Sequence, residues 1–522
     1  MEPRVTLMDR AADRAGDLLT DPVLDLLTTL EQETRGPRAE LLENRRELAR
    51  AVRDGAEIEL RPDTAGLRED DEWRVAPLPE ALRRRQVELA TPATAEHAQQ
   101  ALASGADVWV ADLEDGLVPS WDRLAGAHRA VGEVIASRAA NERPVLMLRP
   151  RGVHLEEAHL LLDGAPLSAP VADVGLFLAL QARALVEQGS APFLYLPKVE
   201  CYEEARWWDR LLGRAEELLG LPPGTVRVSV LVETVQAIYQ LEEIMHALRH
   251  RLTALAAGRW DYVFSHLRTY ATRPDHVLPD RDSFTMNTRF MRGYTDLVVR
   301  TCHRRGAQAI GGPVALVPGG PFDDTTMRAS ALIRRDKAQE ARQGFDGAWV
   351  LHPAVVDLAR EPFAEVGEER PPRPSGPARV DASTLRDIST LPGSATLTGL
   401  RYNLRASLTY LTGWLGGQGT CVIEGHLEDF GTVELARLQV WQWVYHGIRV
   451  AEGPVTSALL VDRVLTDEVA ILSRTVSDRA RVERAAELLR AAVTAEEPPA
   501  FLYREAYEVL LRGDGRDADT AA

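Results

Sequence analysis

Apolar residues follow two rhythms along this chain, and the switch between them divides it. Over residues 1 to about 88 the apolar positions step by three and four. Val23, Leu24, Leu26, Leu27 and Leu30 form one such stripe, which predicts helices joined by polar segments. From about residue 89 the pattern becomes short apolar runs separated by longer helical stretches. The runs are 107–111, 145–148, 193–196, 226–232, 252–256, Val263-Phe264, 307–310 and 348–351. Amphipathic stretches such as Cys201–Leu219 and Ala237–Leu252 lie between several of them. Strand, helix, strand in repetition requires parallel strands with crossover helices, because a tight turn cannot join a parallel pair. About eight runs in roughly 270 residues predict a (β/α)₈ TIM barrel. A doubly wound open sheet competes, but no Gly-rich dinucleotide turn follows the first run.

The helical rhythm returns further on. Leu397, Leu400, Leu404, Leu408, Leu411 and Leu415 lie on one face of a long helix, which Gly416-Gly-Gln-Gly419 ends. Further helices are predicted over about 432–448, 455–474, 477–493 and 498–511. Pro362, Pro371, Pro372, Pro374 and Pro377 separate this region from the barrel. The predicted organisation is an N-terminal helical clasp (1–88), the barrel (89–365), a Pro-rich linker (366–383) and an all-helical C-terminal domain (384–522).

Composition narrows the function. The chain is 45% hydrophobic and 27% charged, with a formal net charge of −17. So acidic a surface repels a phosphate backbone, so nucleic acid is not expected as a partner. Cys201, Cys302 and Cys421 are far apart, odd in number and lack ligand spacing, which predicts neither a disulfide nor a cysteine metal site. No run approaches 18 consecutive apolar residues, so no membrane span is expected. Met1–Gly16 carries charges and no apolar core, so no secretory leader is expected, and a cytoplasmic protein is the expectation.

Candidate chemistry stands at the ends of the apolar runs. Asp112, Glu114 and Asp115 follow the first, Arg149 and Arg151 the second, Lys198 the third and Glu233 the fourth. In a parallel barrel these ends share one mouth, where active sites are built. Glu233 and Asp261 lie about one strand–helix unit apart. Two hard carboxylates with positions left for water and substrate suit Mg²⁺, although such spacing is common. Arg149 can hold a carboxylate or stabilise a developing enolate oxygen, or else form a surface ion pair. Asp429 in Glu424-Gly-His-Leu-Glu-Asp429 precedes a helix. It is either that helix's N-cap or a general base delivered over the barrel mouth. Trp441-Gln-Trp443 reads as core.

Taken together, ordered blocks along nearly the whole chain resemble the A-type malate synthases. They include Val110-Ala-Asp-Leu-Glu-Asp, Arg149-Pro-Arg-Gly-Val-His-Leu, Tyr195-Leu-Pro-Lys, Leu231-Val-Glu-Thr, Gly258-Arg-Trp-Asp-Tyr, Gly311-Gly-Pro-Val-Ala and Leu427-Glu-Asp429. The resemblance implies a Mg²⁺-dependent enzyme that condenses acetyl-CoA with glyoxylate, acting as a monomer or small homo-oligomer. By motif, Glu233 and Asp261 would be the Mg²⁺ ligands, Arg149 the catalytic arginine and Asp429 the base. The backbone around Gly258, Arg259, Trp260 and Asp261 would hold the glyoxylate carboxylate. Asp112, Glu114, Arg151, Trp349 and Pro353 are candidates for the CoA path or for support of the reacting groups. After the base, Phe430 and Gly431 stand where the family pattern has two alanines, and Ala436 replaces a serine. A ring beside the base is expected to narrow the thioester channel or retune Asp429. A barrel lyase acting on malyl-CoA, or a silent CoA-binding paralogue, are the alternatives.

Overall fold

The structure is a computed structural model that describes residues 4–8, 16–139, 142–286, 288–319, 324–366 and 383–513. Eight strands form its centre: β1 (Val87–Pro92), β2 (Val108–Asp112), β3 (Val145–Arg149), β4 (Phe193–Leu196), β5 (Arg227–Val232), β6 (Leu252–Ala257), β7 (Gln308–Gly311) and β8 (Gly347–Val350). They close in the order β7-β8-β1-β2-β3-β4-β5-β6, and every neighbouring pair is parallel. The TIM barrel expected from the alternating runs is present.

One of the eight expected runs is not a strand. Val263-Phe264 lies inside a helix, where Tyr262, Val263, Leu267 and Tyr270 bury one stripe. Two apolar residues in succession do not distinguish the two periods. The strand that completes the barrel is β1, whose apolar run is broken by Glu88. That carboxylate is fully buried inside the barrel. It is tolerated because Tyr195 Oη and Trp349 Nε1 donate to it at 3.0 and 2.7 Å, and Arg85 pairs with it at 3.4 Å. The stretch Ala237–Leu252 also differs from a single helix. It holds two short ones, Val235–Ile238 and Leu241–Ala247, before β6.

Alternation along the strands positions the site. Val108 and Val110, Val145 and Met147, Leu231, and Ala254 and Ala256 all belong to the cluster that fills the barrel interior. Side chains two residues apart share a face. The same parity carried to the C-terminal strand ends selects Asp112, Arg149, Glu233 and Gly258.

Around the barrel lie α1 (Asp21–Arg53), α2 (Ala169–Glu187), α3 (Tyr202–Leu219) and α4 (Arg259–Tyr270), with α1 packed against α2 and α3. Helix α2 is apolar enough by composition to cross a membrane, but 67% of its apolar window is buried inside this fold. The C-terminal region begins with α5 (Leu397–Trp414). A short hairpin, Cys421–Ile423 and His426–Glu428, leads into α6 (Phe430–Tyr445), and three further helices follow. Leu404, Leu411, Trp414, Phe430, Trp443, Leu465 and Leu489 form its own core. Of the Pro-rich stretch expected over 366–383, all but its two end residues lie outside the described residues.

Helix α6 joins the two cores, which is why it is buried on nearly every side. It packs along α4, and its polar side chains bond the loop before residue 280. Gln442 Nε2 donates to the His276 carbonyl at 3.0 Å, Trp443 Nε1 to that of Leu278 at 2.8 Å and Gln439 Nε2 to that of Pro279 at 2.6 Å. Trp441-Gln-Trp443 is therefore core, as its sequence suggests.

Candidate active site

Arg149 ends β3 and lies beside Asp112 at the end of β2, its register partner. Its Nε and Nη2 donate to the two Asp112 oxygens at 2.6 and 2.7 Å, a bidentate pair between buried groups. The same carboxylate accepts the amides of Glu114 (2.9 Å) and Gly116 (2.7 Å), so Asp112 folds its own loop as well as orienting the arginine. Arg149 Nη1 also approaches Asp115 at 3.4 Å and Glu114 at 3.6 Å, and the guanidinium lies 5.6 Å over the Trp349 ring.

Glu233 follows β5, and Asp261 sits in the first turn of α4. Gly258, the N-cap of α4, lets the Glu233 side chain press against the backbone. A Cβ at that glycine would lie 2.8 Å from Glu233 Cβ and 3.0 Å from Oε2. Gly258's amide donates to Tyr294 Oη at 2.9 Å, so it is already engaged. The amides of Arg259, Trp260 and Asp261 open the helix and have no intrahelical acceptors. The guanidinia of Arg259 (4.7 Å) and Arg281 (5.6 Å) both lie over the Trp260 ring.

Asp429 comes from the other domain. It caps α6: its Oδ1 accepts the Thr432 amide at 3.1 Å, and its own amide donates to Thr432 Oγ1 at 3.0 Å. The cap also aims it at the barrel. A Cβ on Gly431 would lie 3.1 Å from Asp261 Oδ1 and 3.4 Å from Asp429 Oδ1, so both carboxylates border one small gap. A cavity of about 230 Å³ reaches this cluster, lined among others by Pro92, His97, Arg149, Pro353, Thr420 and Asp429.

Two candidates lie apart from the cluster. Arg151 turns the other way and is buried in ion pairs with Asp173 (2.6 Å) and Glu157 (2.8 Å). Phe430 does not narrow the channel. Its ring packs edge-on against Trp414 (5.3 Å) and Tyr503 (5.1 Å) in the C-terminal core, and it is Gly431 that faces the carboxylates. Two further members are Lys198 and Asp115: Lys198 Nζ donates to Asp115 at 2.8 Å and to Glu114 at 3.0 Å. Their position after apolar runs was the available signal.

The cluster is rich in negative charge. Among the described residues, Asp112, Glu114, Asp115, Glu233, Asp261 and Asp429 share it with two cations, Arg149 and Lys198. Burial, then the charge of Asp261, pushes the Glu233 carboxyl far up. Burial raises Asp261 as well, and it raises Glu114 to about 8. Burial, then Asp115 and Asp261, raises Asp429 to about 7. A further cation would offset this charge. Asp261 Oδ1 is buried and accepts no well-formed hydrogen bond, although Lys198 Nζ stands 3.4 Å away. Among the described residues no three acidic, histidine or cysteine side chains converge as a complete metal cage. Two carboxylates with the remaining positions left to water and substrate is the manner in which Mg²⁺ binds.

A (β/α)₈ barrel whose acidic mouth is met by a carboxylate from a helical C-terminal region has the architecture of a barrel enzyme with a helical second domain. Residues 145–388 match the malate synthase TIM barrel domain, and residues 394–510 match the malate synthase C-terminal domain. The malate synthase of Streptomyces clavuligerus is 38% identical, over 96% of this chain and 97% of that protein. That of Myxococcus xanthus is 35% identical, over 95% and 94%. The chain belongs to the malate synthase family. A solved malate synthase structure from Haloferax volcanii covers 78% of this chain and 100% of its own at 16% identity, with a TM-score of 0.49.

Proposed function

We infer that this chain condenses acetyl-CoA with glyoxylate and releases malate and CoA. Asp429 is the base. Its carboxylate is buried and pushed up to about 7, and its Oδ1, which also accepts the Thr432 amide, borders the gap beside Asp261. It takes a proton from the acetyl methyl group. The enolate oxygen that results needs a positive partner, and Arg149, fixed by Asp112, supplies one without reorganising. The enolate carbon then attacks the glyoxylate aldehyde. The first-turn amides of Arg259, Trp260 and Asp261 bind the glyoxylate carboxylate at the positive end of α4.

Glu233 and Asp261 are the residues that would hold Mg²⁺, which supplies Lewis-acid polarisation of the aldehyde. The cavity past Pro92, His97 and Pro353 is the path for the thioester arm. Hydrolysis of the malyl thioester completes the reaction and makes it effectively irreversible.

The observation that carries this reading is the shared gap: one carboxylate from the barrel and one from the helical domain within 3.4 Å of the same point. The test is thiol release from acetyl-CoA in the presence of glyoxylate and Mg²⁺, with the products separated. Free malate is the expected product. Accumulation of malyl-CoA would point to a lyase, and no thiol release at any Mg²⁺ concentration would refute the reading.

A further inference from the structure

Lys198 is held in a conformation that side chains rarely adopt. It follows β4 with a φ of +49°. Among the described residues two other non-glycine residues have positive φ, Asp163 and Glu424, and each precedes a glycine in a two-residue hairpin turn. Lys198 has no such turn to explain it. A residue kept in this region is over-determined by its surroundings, and such strain collects at functional sites.

Its surroundings fix it from every side. The Lys198 amide donates to Glu233 Oε1 at 2.7 Å. Its carbonyl accepts from Arg45 Nη2 at 2.7 Å. Arg45 reaches in from α1 and is itself anchored on Glu204 of α3 at 2.6 Å and on Glu200 at 3.0 Å. The Lys198 ammonium, almost wholly buried, meets Asp115 at 2.8 Å, Glu114 at 3.0 Å and Asp261 at 3.4 Å. One residue thus touches both acids assigned to the metal, the first through its backbone and the second through its side chain.

We propose that Lys198 is the resident cation of the acid pocket, a positioning residue that places Glu233 through its amide and competes with the divalent cation for Asp261 through its ammonium. This rests on the reading of Glu233 and Asp261 as Mg²⁺ ligands. Before metal binds, the ammonium offsets part of the pocket's negative charge and keeps the three carboxylates gathered. When metal binds, the same charge opposes it, so Lys198 sets the affinity below what the bare acids would give.

The informative variant is Lys198→Gly. Glycine accepts the left-handed backbone, so the amide to Glu233 and the carbonyl to Arg45 are retained while the ammonium is lost. Thermal unfolding of the full-length protein in chelator and under MgCl₂ titration, with Mg²⁺ binding measured by calorimetry, separates the two effects. The expected result is a lower melting temperature without metal, together with Mg²⁺ binding at least roughly fivefold tighter and a larger metal-induced rise in melting temperature. Lys198→Gln, which keeps the length but not the charge, is expected to move both quantities in the same directions and stands in if the glycine variant does not fold. A purely structural role for Lys198 would lower stability without tightening Mg²⁺ binding. Unchanged or weaker Mg²⁺ binding in both variants overturns the proposal. If the wild-type protein itself shows no Mg²⁺ heat or stabilisation, the metal-ligand reading fails and this inference fails with it.

Discussion

Replacing Asp429 with asparagine separates the two roles that the structure gives this residue. As the N-cap of α6 it accepts the Thr432 amide at 3.1 Å, a bond that an asparagine oxygen also makes. Asparagine and aspartate are about equal at this position, so the capping loss is below about 0.5 kcal/mol. Removing one buried negative charge beside Asp115 and Asp261 relieves repulsion and offsets even that. The melting temperature of Asp429→Asn is therefore expected within about 2 °C of wild type. Catalysis is another matter, because the amide cannot accept the methyl proton. Loss of a positioned base costs about 10² to 10⁴ in rate, or roughly 3 to 5 kcal/mol of barrier. The assay is thiol release at saturating acetyl-CoA and glyoxylate, paired with exchange of the acetyl methyl protons into deuterated water. Both are expected to fall together while the KM for glyoxylate stays nearly constant. Asp429→Ala provides the contrast: it loses the cap as well, at about 1 kcal/mol, for no greater loss of rate. A kcat for Asp429→Asn within tenfold of wild type would refute the assignment of the base.

Other perturbations probe the remaining parts. Glu233→Gln is expected to raise the Mg²⁺ concentration needed for half-maximal activity by at least about tenfold, the scale seen when only an outer partner of a metal ligand is lost; an unchanged requirement would exclude Glu233 as a ligand. Gly258→Ala places a methyl 2.8 Å from Glu233 Cβ, while the backbone there (φ −113°, ψ 90°) accepts alanine. It should weaken Mg²⁺ binding in calorimetry and also lower the melting temperature, because the overlap with a buried Cβ costs about 1 to 3 kcal/mol. His128 concerns stability and not catalysis. Burial pushes its imidazole down from 6.5 to about 4. A group whose folded value is depressed gives its full contribution above its unfolded value and loses it as pH falls. Stability should thus decline between pH 6.5 and about 4, by at most about 3 kcal/mol from this group. Denaturant titrations across that range should show a shallower decline in His128→Leu.

The barrel and its mouth were legible in the sequence because side-chain parity along a strand is a local property. Val108, Val110 and Asp112 alternate by construction, as do Val145, Met147 and Arg149, so the strand ends identify the residues that face the mouth. Helix stops such as Gly416 are local too. Where burial depends on distant partners, local reading failed. Glu88 breaks an apolar run, and only Tyr195, Trp349 and Arg85 make it acceptable inside β1. Val263-Phe264 fits either period until the helix around it is seen. Arg151 shares parity with Arg149 but lies past the strand end, where Asp173 and Glu157 decide its direction. Phe430 and Gly431 are chain neighbours facing opposite ways, one into the helical core and one toward the carboxylates. Periodicity and motif thus determined the elements and named most of the acids. That Asp429 meets Asp261, that Lys198 lies among the acids, and that Arg45 holds it there were decided by tertiary packing, because proximity between residues far apart in the chain exists only once the cores of both regions have closed around α6.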